Sequence, residues 1–153
     1  MHKAWKSIGA FLAGLVATAT LSFGTDYLFE ALGWLPKGMN GLSYASMSVL
    51  ITIIVYRNMY NVLGGYMAAR LAPDRPLGHA LALGVFGGVG SLIVTIATWN
   101  MDIGPHGYSI AITVLAVPSA WLGGWLCVQS KARKAKSIRP TNRAANIANE
   151  EET

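Results

Sequence analysis

The chain has 153 residues, 53% of them hydrophobic and only 12% charged, with 17 glycines and a formal net charge of +5. That composition is too apolar for an ordinary soluble domain, and its cations flank apolar runs rather than forming the patch that nucleic acid would need. The single cysteine, Cys127, excludes an internal disulfide, a CxxC redox pair and a thiolate metal site.

A bilayer core takes about 20 apolar residues per helix. Four windows meet that length, at 7–26, 42–70, 78–98 and 108–128. They predict an all-α integral membrane protein, a bundle of four transmembrane helices occupying residues 1–128. The first window, with Lys3 and Lys6 ahead of it and Ala17 and Ala19 near its end, imitates a secretory signal. Its small residues are spaced like those of the later windows, so an uncleaved first span is the expectation. The second window is interrupted by Arg57 and Asn58, yet neither half alone reaches across, so one long tilted helix is expected. Pro73 and Pro76 frame a tight turn between the second and third windows, and Pro118 lies inside the fourth. Gly33, Pro36, Gly38 and Gly41 mark one loop on the opposite side, and Gly104, Pro105 and Gly107 mark the other.

Charge sets the expected orientation. Lys3, Lys6, Arg70, Arg75, Lys131, Arg133, Lys134, Lys136, Arg139 and Arg143 fall on one side, whereas residues 27–41 and 99–107 on the other hold only Lys37. The positive-inside rule then places both termini in the cytoplasm. Residues 129–153 have no sustained apolar period and end in Glu150, Glu151 and Glu152, which predicts a disordered cytoplasmic tail. Its basic first half is expected to lie on anionic lipid headgroups, each Lys or Arg contributing about 1 kcal/mol.

Helices in lipid gain nothing by hiding apolar side chains from one another, so small residues must let them approach. Candidate seams are Ala10, Ala13, Ala17, Thr20 and Gly24 in the first span, and Gly84, Gly88, Ser91, Thr95 and Thr98 in the third. The fourth has Ser109, Thr113, Ala116, Ala120, Gly123 and Cys127. The second span differs, with Arg57, Asn61, Gly64 and Ala68 in line and Asn58 and Gly65 beside them.

A central arginine costs roughly 2.5–3.5 kcal/mol to insert and needs a partner inside the bundle. Asp26 and Glu30 are the anionic candidates. Asp26 lies about 30 Å above Lys6 by helix rise and Arg57 about 20 Å above Arg70, so a guanidinium reaching outward can meet a carboxylate hanging inward. Asp26, Glu30, Arg57, Asn58 and Asn61 thus form a candidate intramembrane polar network. Arg70, Asp74, Arg75 and His79 form a candidate cluster at the inner interface. There His79 is expected to bond a helix end or interfacial water, because no nucleophile or second base is placed with it. His2, His79 and His106 are too far apart in sequence for a helical metal site or a bis-histidine haem, and Asp102 and His106 fall in a glycine-proline loop. No catalytic residue, metal or cofactor is expected.

The segments LSFGTD (21–26), YRNMYNVLGGYMAARLAPDRPLGHALALG (56–84), ATWN (97–100) and WLGGWL (121–126) resemble an uncharacterised family of small four-span bacterial inner-membrane proteins. The resemblance implies a bacterial inner membrane and four spans, and transfers no catalytic residue. The expected function is that of a non-enzymatic accessory, scaffold or assembly subunit, associating with further copies or other membrane subunits and with no nucleic acid. The alternative is a small oligomeric channel or transporter that uses Arg57 and the neighbouring asparagines.

Overall fold

The computed structural model describes residues 2–35, 42, 45–101 and 103–151, with the backbone alone for 2–4, 6 and 137–151. Among these the chain forms four α-helices: α1 His2–Ala31, α2 Met47–Leu71, α3 Pro76–Ala97 and α4 His106–Glu151. Pro36, Lys37, Gly38, Gly41 and Asp102, named by the loop expectations, lie outside the described residues.

Local chemistry sets the helix ends. α1 stops in a Schellman arrangement: Gly33 takes φ +75°, its N–H donates to Glu30 O at 3.2 Å, and the Trp34 N–H donates to Phe29 O at 2.9 Å. The Phe29 and Trp34 rings, 5.4 Å apart, supply the apolar contact that accompanies this cap. α3 begins with Pro76 in its first turn, where a missing N–H is harmless, behind Arg75 at φ +49°. α4 passes through Pro118 without a break.

Three helices carry segments long and apolar enough to cross a membrane: Ser7–Ala31, Pro76–Ala97 and His106–Lys136. The expected fourth, α2, has 25 residues but falls short in apolarity because Arg57, Asn58 and Asn61 occupy its middle. α2, like α3, packs against each of the other three helices, so its polar residues have protein neighbours on several sides. α4 does not end near residue 128 as the tail's composition suggests but continues through Pro140 to Glu151. A helix already nucleated in the spanning segment extends cheaply into an Ala-, Lys- and Arg-rich stretch.

The bundle is sorted by size rather than polarity. Its buried side chains include Ala10, Ala68, Ala69, Ala80, Ala116 and Ala120, while Val16, Phe23, Val55, Ile93, Val114 and Trp121 are exposed. In water that would be an inverted protein; in hydrocarbon it is the expected arrangement. α2 presents a glycine on each of two faces. A Cβ on Gly64 would collide with Thr18 of α1, and a Cβ on Gly65 with the Ala120 carbonyl of α4. Gly123 of α4 has the Val62 carbonyl in the corresponding place.

On α3 and α4 the buried faces follow the expected seams. On α1 the face differs: Ala10 and Gly14 are buried and Thr18 is half-buried, whereas Thr20 and Gly24 are exposed. Gly14 decides this, since a Cβ there would lie 2.7 Å from Gly64 O. Two glycine backbones meet at that point and fix the rotation of α1.

Gly65→Ala and Gly123→Ala therefore lower stability in detergent by about 1–3 kcal/mol, the cost of overpacking. Gly9→Ala and Gly24→Ala, where an added Cβ meets nothing within 4 Å, leave it unchanged or raise it by up to about 1 kcal/mol. Thermal unfolding followed by circular dichroism checks the contrast, and equal effects at all four positions contradict the packing described.

Candidate functional site

The last turns of α1 run beside the middle of α2 in the opposite direction, which brings Asp26 onto Tyr56 and Arg57. Arg57 Nη2 donates to Asp26 Oδ2 at 2.5 Å, and the Tyr56 hydroxyl donates to Asp26 Oδ1. Each carboxylate oxygen has its own donor, so Asp26 does not fork onto the guanidinium, and Arg57 Nε is buried without a hydrogen-bond partner among the described residues. Tyr56 is 9% exposed, and Phe29 packs edge-on against its ring at a centroid distance of 5.7 Å. Leu35 and Ile53 close over the same ring, with Tyr108 of α4 against them. Apolar walls strengthen a charge-assisted bond that water would weaken.

A second tier of bonds surrounds this pair. Thr25 Oγ1 and the Tyr60 hydroxyl are 2.8 Å apart, and Thr18 Oγ1 donates to Gly14 O at 2.9 Å and to Tyr60 O at 3.3 Å. Asn58 faces the other way: its Nδ2 donates to Ile54 O at 2.7 Å, and its Oδ1 accepts from Ser119 Oγ of α4 at 2.6 Å. Arg57 thus ties α2 to α1, and its sequence neighbour ties α2 to α4.

Of the candidate network, the structure brings Asp26 and Arg57 into contact, turns Asn58 toward α4, and leaves Glu30 one turn further along α1, outside the ion pair. Asn61 lines a cleft of about 390 Å³ together with Arg57, Ser22 of α1 and Gly87, Gly90 and Ser91 of α3. A Cβ on Gly87 or Gly90 would meet nothing within 4 Å, so both glycines open onto free space. Sequence reasoning missed Tyr56, Tyr60, Thr18, Thr25 and Ser119. A usable signal was the pair Tyr56 and Tyr60, one helical turn apart and bracketing Arg57 well inside the second apolar window, away from its ends, where tyrosine usually sits at a membrane interface.

At the α2–α3 turn, His79 Nδ1 lies 3.3 Å from Arg75 O, and Arg70 Nη1 donates to the Tyr66 hydroxyl at 3.4 Å. These bonds do not link Arg70 to His79, and Asp74 and Arg75 belong to the turn between them. At the opposite end of the bundle, His106 Nε2 lies 3.0 Å from Trp99 O with the two rings 4.2 Å apart. No three His, Cys, Asp or Glu residues converge in a metal-binding arrangement among the described residues. No family model, curated protein or solved structure matches this chain.

Tyr56→Phe removes one donor from Asp26 while keeping the ring against Phe29 and Leu35. It lowers stability in detergent by about 0.6 kcal/mol and by no more than about 1.7 kcal/mol, the range for hydrogen bonds between membrane helices. A chemical unfolding titration reads this, and a loss above that range would mean that the ring position, and not the hydroxyl alone, has changed.

Proposed function

We propose that the chain is a non-enzymatic, four-span protein of a bacterial inner membrane, an accessory or scaffold subunit that assembles with further copies or with another membrane protein. α2 is taken as the fourth crossing: at 25 residues it is about 37 Å long, and it lies among three helices apolar enough to span. Positive-inside asymmetry supports cytoplasmic termini, and the resemblance to small inner-membrane proteins supports the compartment.

The observation that carries the assembly role is the cleft that Gly87 and Gly90 open between α1 and α3. The tightly placed glycines of the helices, Gly14, Gly64, Gly65, Gly84, Gly123 and Gly124, are spent on contacts within the bundle. Gly87 and Gly90 serve no internal contact, and small residues on an open membrane-helix face are what a further helix needs to approach closely. Native mass measurement in mild detergent tests this. Wild type is expected as an oligomer or with a co-purifying membrane protein, and Gly87→Leu with Gly90→Leu returns the monomer without lowering the unfolding temperature. A strictly monomeric wild type with nothing bound contradicts it.

One observation favours the second reading, a channel or transporter. Arg57 and Asn61 line the same cleft, a donor set suited to an anion or polar solute. Anion flux into liposomes, abolished by Arg57→Lys while stability is retained, would replace the scaffold role, since lysine keeps the charge but lacks the planar fork.

A further inference from the structure

At the end of the bundle opposite Asp26, α2 and α4 enclose a pocket of about 280 Å³ lined by Tyr66, Arg70, Cys127, Ser130, Lys131 and Lys134. Helical spacing explains the convergence. Lys131 and Lys134 are three residues apart on α4 with Ser130 beside them, and Arg70 sits one turn beyond Tyr66 on α2. The pocket therefore holds three cationic side chains, two hydroxyls and no carboxylate. Two of the cations have a polar neighbour. Lys131 Nζ lies 3.4 Å from Ala69 O, a carbonyl in the last turn of α2, and Arg70 Nη1 lies 3.4 Å from the Tyr66 hydroxyl. An ammonium has three donors and a guanidinium five, so both keep most of their capacity.

Three like charges around one small cavity repel, an anion among them relieves that repulsion, and a tetrahedral oxyanion offers several acceptors to their donors. The surroundings choose the source of that anion. Immediately toward the middle of the spans, Leu63 of α2 and Leu126 of α4 are exposed at helical spacing from Tyr66 and Ser130. An amphiphile seated here would place its phosphate among the cations and its acyl chain along the leucines. A free phosphate ion would leave that apolar surface unused.

We infer that this pocket is a binding site for the headgroup phosphate of an anionic phospholipid, held between α2 and α4 at the polar boundary of the membrane. The site differs from diffuse attraction of the basic tail: it is stoichiometric and depends on which cations are removed, not on how many. It rests only on the bilayer location of the chain and not on the assembly role, so failure of either leaves the other standing.

The test uses the full chain in phosphatidylcholine nanodiscs with and without phosphatidylglycerol, reading retained lipid by native mass spectrometry and its affinity by titration. Phosphatidylglycerol is expected to be retained in preference to phosphatidylcholine. Arg70→Gln with Lys134→Gln weakens it about fivefold per cation removed, the equivalent of ~1 kcal/mol each. Arg133→Gln with Lys136→Gln removes the same net charge, from α4 beside but outside the pocket, and changes affinity by less than about twofold, the difference between a specific site and a screened surface charge. Lys134→Gln alone, an exposed residue, gives the same comparison at half the signal should the double variant unfold. Equal weakening by both pairs overturns the inference, as does displacement of the lipid by inorganic phosphate, which would assign the pocket to a soluble anion.

Discussion

A guanidinium in the middle of a bundle of apolar helices is tolerated only where something inside the protein meets it, and here the partner is supplied by a different helix. Arg57 belongs to α2, Asp26 to α1, and the contact between them limits how far α1, its rotation fixed by Gly14 against Gly64, can slide along the rest of the bundle. The Schellman turn at Gly33 continues from this point, folding Trp34 back on Phe29 and Leu35 down onto Tyr56. The ion pair therefore has one polar side, where Tyr56 shares the carboxylate, and one apolar roof that keeps the bond strong. Without Asp26 the central helix would carry an uncompensated charge; without Arg57 the carboxylate would be the stranded group.

α2 combines two kinds of cohesion on each of two faces. Its glycines let backbones approach on two sides, Gly64 toward α1 and Gly65 toward α4, and dispersion forces act over those short distances. Its polar residues divide in the same way, Arg57 toward α1 and Asn58 toward α4. The helix least suited to lipid is thus the one best suited to the centre of a bundle. α3 and α4, which lack such charges in their apolar stretches, hold each other by close packing and by the Ser91 to Thr113 hydroxyl pair at 2.9 Å.

Much of this was legible in the sequence because the physics involved is one-dimensional. Helix rise alone places Asp26 and Arg57 at compatible heights, and the repeats of small residues in α3 and α4 mark a single face each. The α1 face was not legible, because Ala13 and Ala17 lie on a row of small residues directly beside Ala10, Gly14 and Thr18. Composition does not choose between adjacent rows. The choice was made by Gly64, a residue fifty positions further along the chain, which is tertiary information. Tyr56 escaped notice for a related reason: a tyrosine reads as an interfacial residue until a carboxylate from another helix gives its hydroxyl a partner. The helical continuation of α4 beyond residue 128 was hidden by charge, which signals solvation but does not oppose helix formation where alanine, lysine and arginine dominate.

The central claim is that Asp26 and Arg57 are coupled across the α1 to α2 contact. A double-mutant cycle of Arg57→Ala and Asp26→Asn, measured by thermal stability in detergent, addresses it most directly. For a pair that acts as one unit the two losses overlap, with an interaction energy of about 0.5 kcal/mol or more. Losses that simply add would show that the two charges are stabilised independently, and the ion pair would then no longer account for how α1 is held.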